Sequence, residues 1–119
     1  MSDNSKFPHL YDELCDGMGS LGTVLPEIMG PFSNLHHASG SDGALTGKTK
    51  ELIALGIAIC VRCEGCIAAH VHDAIEQGAT RAEIAETVGV AILMGGGPSV
   101  VYGCEAMQAL EEFTAAAAG

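Results

Sequence analysis

Residues 60–72 read CVRCEGCIAAHVH and gather three of the chain's five cysteines and two of its five histidines. Thiols and imidazoles this close can hold a metal, exchange electrons through a disulfide, or simply fill a core. Cys63 and Cys66 have two residues between them, a common dithiol spacing. Gly65 and the preceding VRCE predict a turn between two helices, which puts the pair at the N-terminus of the second one. Free backbone N–H groups and the positive end of the helix dipole favour a thiolate there. The dipole contributes roughly 0.3–1 kcal/mol, against about 1.4 kcal/mol for each pKa unit, so it moves a thiol by less than one unit from about 8.5. A base is needed as well. His70 follows Cys66 by four residues, one turn along the same helix face, where it can take the thiol proton and stabilise the thiolate as imidazolium. His72 points away, and Cys63 shares the side of His70 if helical geometry extends back to it.

Two other chemistries compete for the same residues. A zinc site needs a second ligand pair, and outside the Cys60–Cys66 run the chain has no further Cys-x-x-Cys and no His-x₃₋₅-His. His36-His37 can complete one in principle, but adjacent histidines in a loop read first as surface residues. Cys60, Cys63 and Cys66 have iron–sulfur spacing, yet the nearest further thiol in the downstream sequence, Cys104, sits far away on the last helix. Cys15, Cys60 and Cys104 read as small buried hydrophobes. Residue chemistry alone thus ranks a redox dithiol first, a metal site second and a structural role third.

The elements that must position these groups are helical. Pro8 opens a helix to about Met18, with Leu10, Leu14 and Met18 four apart. Pro26 opens PEIMGPFSNLHH, which Gly30-Pro31 is expected to kink or split. ASGSDGAL reads as a loop. From Thr46 onward, KTKELIALGIAICV is apolar nearly all round, predicting a central, buried helix. A fourth helix runs from Glu64 to the C-cap at Gly78, and Thr80 to Glu83 form a capping box for the fifth. GGG at 95–97 breaks the chain, and Pro98 starts the last helix. The expected fold class is all-α, about six helices in a single domain over 1–119.

Charged residues make up only 17% of the 119, and hydrophobic ones 48%. No apolar run reaches the ~18–20 residues of a membrane span. The surface is therefore short of charge, which predicts a homo-oligomer. A net charge of −10 argues against a nucleic-acid partner, which calls for a basic face. The opening MSDNSKFPHL lacks a basic-then-apolar leader pattern, and an odd number of cysteines is unlike a secreted disulfide framework. A cytoplasmic location is expected.

The stretch KELIALGIAICVRCEGCIAAHVHDAIEQGATRAEIAETVGVAILMGGGPSVVYG, residues 50–103, resembles the carboxymuconolactone decarboxylase superfamily in its alkylhydroperoxidase D-like branch. That pattern is a glutamate, eleven residues, Cys-x-x-Cys, three residues and a histidine, matched here by Glu51, Cys63, Cys66 and His70. The resemblance implies an all-α fold assembled as trimers or hexamers. It also implies thiol-dependent peroxidase or disulfide-reductase activity, with no flavin, haem or metal and with an external thiol or dithiol as reductant. Cys66 is implied as the peroxide-attacking thiol, Cys63 as its resolving partner, and His70 with Glu51 as a proton relay. Some peroxidase members carry a histidine between the cysteines, where this chain has Gly65. Arg62, next to the pair, adds a cation. Read without the resemblance, Glu51 is a first-turn glutamate facing solvent. Tyr102 and the glycines before Pro98 are candidates to line a small apolar pocket. The competing functions are a general disulfide reductase, a metal-binding or redox-sensing module, and a lactone-decarboxylase-like enzyme using His70 as base.

Overall fold

The computed structural model describes residues 5–118, so the two ends of the expected 1–119 domain lie outside it. Six helices account for nearly all of the described chain, and no strand occurs among the described residues. They are α1 (Lys6–Val24), α2 (Pro26–Gly40), α3 (Gly47–Cys60), α4 (Glu64–Glu76), α5 (Arg81–Gly95) and α6 (Gly97–Ala118). The all-α expectation and the helix count hold.

Caps visible in the sequence set the inner boundaries. Thr46 accepts the Thr49 N–H at 3.1 Å and starts α3. Thr80 and Glu83 exchange hydrogen bonds as a capping box and start α5. Gly96, at φ 71, ends α5 in a conformation that disfavours any side chain. Helices α3 and α6 each pack on both α4 and α5, around Leu55, Ile59, Ile67, Val71, Ile84 and Leu110, all buried. Small residues let these helices approach closely. A Cβ on Gly103 of α6 would lie 2.6 Å from Val88 Cγ1 of α5, so only glycine fits that crossing. Helix α1 lies against α4 and α6, with Phe7 fully buried and its N–H donated to the Glu112 carboxylate at 2.7 Å.

Four expectations change. Helix α1 continues past Met18 through Gly19 and Gly22 to Val24, with Gly22 facing α2, where an added Cβ would meet Met29 Cβ at 4.0 Å. Helix α2 is not split by Pro31 and runs on to Gly40, so only the second half of ASGSDGAL is loop. Because α2 buries none of its residues, the carbonyl that Pro31 leaves unpaired can turn to water. The third change concerns α3, which is central but not buried all round: Ile53 and Ile57 are 48% and 58% exposed. Finally, Cys15, Cys60 and Cys104 are exposed rather than buried, although the Cys60 thiol still reaches the Ala91 carbonyl of α5 at 3.5 Å from the edge of an open groove.

Among the described residues, no helix is long and apolar enough to cross a membrane.

Candidate functional site

The turn after α3 is tied by two backbone bonds. Arg62 N–H donates to the Ile59 carbonyl and Cys63 N–H to the Ala58 carbonyl, each at 3.1 Å. This closing pattern needs a left-handed residue, and Arg62 supplies it at φ 59, which disfavours any residue with a Cβ. Cys63 is therefore at once the end of the α3 turn and the N-cap of α4, with its sulfur accepting the Cys66 N–H at 3.2 Å. The sequence places the pair at this helix mouth, and the structure has it there. Cys63 and Cys66 are joined as a disulfide with Cα atoms 5.2 Å apart. Both are half-buried, while Val61 and Arg62 beside them are exposed.

One turn further on, His70 Nδ1 meets Glu51 Oε1 at 2.7 Å, linking α4 to α3. The two side chains are 25% and 13% exposed, enough desolvation to strengthen the bond relative to a surface pair. Glu51 does not occupy the first turn of α3, which begins at Gly47; it sits a turn deeper and faces inward. A glutamate read as solvated by position is thus a partner of the imidazole. With Nδ1 on the carboxylate, Nε2 is the ring nitrogen left for other contacts.

Two neighbours were not anticipated. Asp73 brings a carboxylate oxygen to the same place: Glu51, His70 and Asp73 hold their ligand-type atoms all within 4.8 Å of one another. The signal was available, since Asp73 follows His70 by three residues on one helix face. His72 does not simply point into solvent. Its Nδ1–H donates to Asp73 Oδ1 over 2.9 Å, and the ring stacks on Tyr11 at 4.0 Å and meets the edge of Phe113 at 5.5 Å. Burial and the neighbouring Cys15 push the Tyr11 phenol up to about 12, so it stays a neutral donor.

The cavities also depart from the expected small apolar pocket. Beside Glu51 lies a polar chamber of about 370 Å³, lined by His36, His37, Glu51, His72, Asp73 and Glu76 among others. His36 and His37 are on the last turns of α2 and face this chamber, not an open loop. An apolar groove of about 470 Å³ runs elsewhere, between α3 and α5, along Ile53, Ile57, Cys60, Val90 and Met94. Cys63, Cys66, Tyr102 and the glycine turn line neither, and Tyr102 packs on the core instead.

A second carboxyl pair flanks the dithiol. Glu64, in the first turn of α4, bonds Lys6 at 2.6 Å, and that ammonium holds its carboxyl below the usual range. Glu105 on α6 is pushed the other way by burial and by Glu64, and its Oε1 is buried without a partner.

The sequence and the fold have known relatives. The sequence profile of the carboxymuconolactone decarboxylase family matches residues 26–111. The chain is similar to a carboxymuconolactone decarboxylase family protein from Legionella pneumophila, whose apo crystal structure superposes with a TM-score of 0.90 at 43% identity, covering 93% of this chain and 99% of that one. A Thermotoga maritima family protein, for which a part in antioxidative response has been suggested, superposes with a TM-score of 0.68 at 34% identity over 72% of this chain and 89% of that one. An uncharacterised protein of the cox locus in Paracoccus denitrificans is 38% identical over 99 residues, 83% of this chain and 89% of its own length.

Proposed function

The chain belongs to the carboxymuconolactone decarboxylase family, and from that premise we propose that it is a thiol-dependent hydroperoxidase working through Cys63 and Cys66. The observation that carries this reading is the joining of the two sulfurs at the mouth of α4, one turn before an imidazole fixed by a half-buried carboxylate.

In the proposed cycle, His70 takes the Cys66 proton while Glu51, on Nδ1, stabilises the imidazolium. The Cys66 thiolate attacks the terminal oxygen of a hydroperoxide. The S–O bond forms as the O–O bond breaks, the alkoxide takes a proton from His70, and an alcohol leaves. Cys66 is now a sulfenic acid, oxidised by two electrons. The Cys63 thiol attacks that sulfur, a disulfide forms and water leaves. Two thiols of an external dithiol protein or small thiol then reduce the pair by exchange, themselves ending as a disulfide. No flavin, haem or metal enters the cycle.

The same proposal includes a cytoplasmic homo-oligomer, trimer or hexamer. Its support is the apolar surface this protomer leaves open: Ile28, Phe32 and Leu35 on α2, and Ile57, Val90, Leu93 and Met94 on α3 and α5.

A second reading, reduction of protein disulfides with little peroxide chemistry, is favoured by the exposed Val61 and Arg62 beside the pair, which leave the junction open to a bulky partner. Comparing peroxide consumption with reduction of insulin disulfides separates the two. For the first reading, Cys63→Ser and Cys66→Ser should each abolish dithiol-dependent peroxide turnover. Wild-type rates in both variants would remove the scheme.

A further inference from the structure

We propose that Glu51, His70 and Asp73 form a binding site for a divalent transition-metal ion, with Zn²⁺ the best match, and that a metal held there occupies the groups needed for proton transfer. The consequence for turnover rests on the hydroperoxidase reading; the binding does not.

The donor set is one imidazole nitrogen and two carboxylate oxygens, from α3 and from successive turns of α4, all within 4.8 Å of one another. Zinc bonds of about 2.0–2.2 Å to nitrogen and oxygen put ligand atoms about 3.3 Å apart in a tetrahedron. His70 Nδ1 and Glu51 Oε1 are already at 2.7 Å, so opening this contact slightly and swinging Asp73 inward completes three ligands. The two carboxylates balance the charge of the dication. Asp73 is oriented from behind by His72, itself clamped on Tyr11, as outer partners commonly orient metal ligands. Two of the three donors, Glu51 and Asp73, also line the polar chamber, where His36 and His37 of α2 or water can supply a further ligand. The imidazole, a borderline donor that Ca²⁺ and Mg²⁺ seldom take, tips a set of otherwise hard carboxylate oxygens toward Zn²⁺ and its first-row neighbours.

This site contains no cysteine, which sets it apart from a thiolate metal centre at Cys63 and Cys66 and makes it testable in the oxidised protein. The experiment is calorimetric titration of Zn²⁺ into full-length protein with the Cys63–Cys66 disulfide intact and Cys15, Cys60 and Cys104 alkylated. One ion should bind per chain. Asp73→Asn, Glu51→Gln and His70→Ala should each weaken binding by about tenfold or more, with circular dichroism confirming that each variant is folded. Binding in wild type with loss in all three establishes the site. Absence of binding to the oxidised wild type, or undiminished binding in folded Asp73→Asn, overturns it. A protein that binds zinc this way yet never consumes peroxide keeps the site and loses the hydroperoxidase reading instead.

Discussion

The two turns that lead into α4 and α5 share one backbone plan and are built from opposite residues. After α3, the N–H groups of Arg62 and Cys63 return to Ile59 and Ala58; after α4, those of Gly78 and Ala79 return to Ile75 and Ala74 at 2.9 Å. Each has one left-handed residue, Arg62 in the first and Gly78 in the second. Each following helix is capped at its third N–H, by the Cys63 sulfur in one case and the Thr80 hydroxyl in the other. The second turn has the residues that stability favours: glycine where φ is positive, threonine at the cap and Glu83 to complete the box. The first has an arginine, a weak sulfur acceptor and no returning glutamate. A turn whose residues oppose local stability, while an equivalent turn in the same chain obeys it, supports the proposal that the first is built for chemistry.

That contrast can be broken at several points. The largest expected effect is from Cys63→Ser, which exchanges a poor cap for a good one. Peroxide turnover should vanish, while stability in urea should equal or exceed that of the reduced wild type. A Cys63→Ser protein that unfolds more readily than the reduced parent would show that the sulfur holds the turn. Next, Gly78→Ala forces a Cβ into the left-handed region and should cost about 1–2 kcal/mol by equilibrium unfolding, with the thiol chemistry of the reduced pair unchanged. Thr80→Ala should cost about 1 kcal/mol. Arg62→Gly should move the other way and stabilise by up to about 1 kcal/mol, strain relieved being partly offset by the freedom glycine gains in the unfolded chain. An Arg62→Gly variant less stable than wild type would mean that the arginine side chain is held by contacts that outweigh its backbone strain.

The smallest effect is electrostatic and also separates the two turns. Glu83, in the first turn of α5, is held below the usual carboxylate range by the Thr80 backbone N–H and then by Lys48. Glu64, in the first turn of α4, is likewise held low, first by Lys6, but it has Glu105 beside it, raised first by burial and then by Glu64. A carboxyl raised on folding favours the native state while protonated, and that contribution is lost as pH climbs through its raised value. Thermal melts should therefore give Glu105→Gln no advantage near pH 4 and a higher Tm than wild type at pH 7. Parallel melting curves at both pH values would show that Glu105 ionises without penalty.

Much of the scaffold was legible because glycine, proline and capping residues punctuate it: Thr46, Thr80, Gly78 and the glycine turn mark boundaries that the structure reproduces. Propensity misled where packing decided. Three glycines did not end α1, and Pro31 did not break α2, because neither helix depends on the lost interaction at that point. The apolar character of α3 was read as all-round burial, but a sequence cannot say which of its faces the same chain covers. At the site, the spacing of Cys63, Cys66 and His70 could be read from helix geometry. The contact of Glu51 with His70 spans two helices, so only the family pattern signalled it. Asp73 lies three residues after His70 on the same helical face, whereas the stacking of His72 on Tyr11 joins α4 to α1, a contact that spacing within one helix does not show.

The most direct test of the account is to locate the first oxidised sulfur. Reduced Cys63→Ser and Cys66→Ser proteins would each be given one equivalent of an alkyl hydroperoxide in the presence of dimedone, then mapped by peptide mass spectrometry. The account predicts a sulfenic-acid adduct on Cys66 in the Cys63→Ser protein and no adduct on Cys63 in the Cys66→Ser protein. Adduct on Cys63 with Cys66 unlabelled, or peroxide left unconsumed by both, contradicts it.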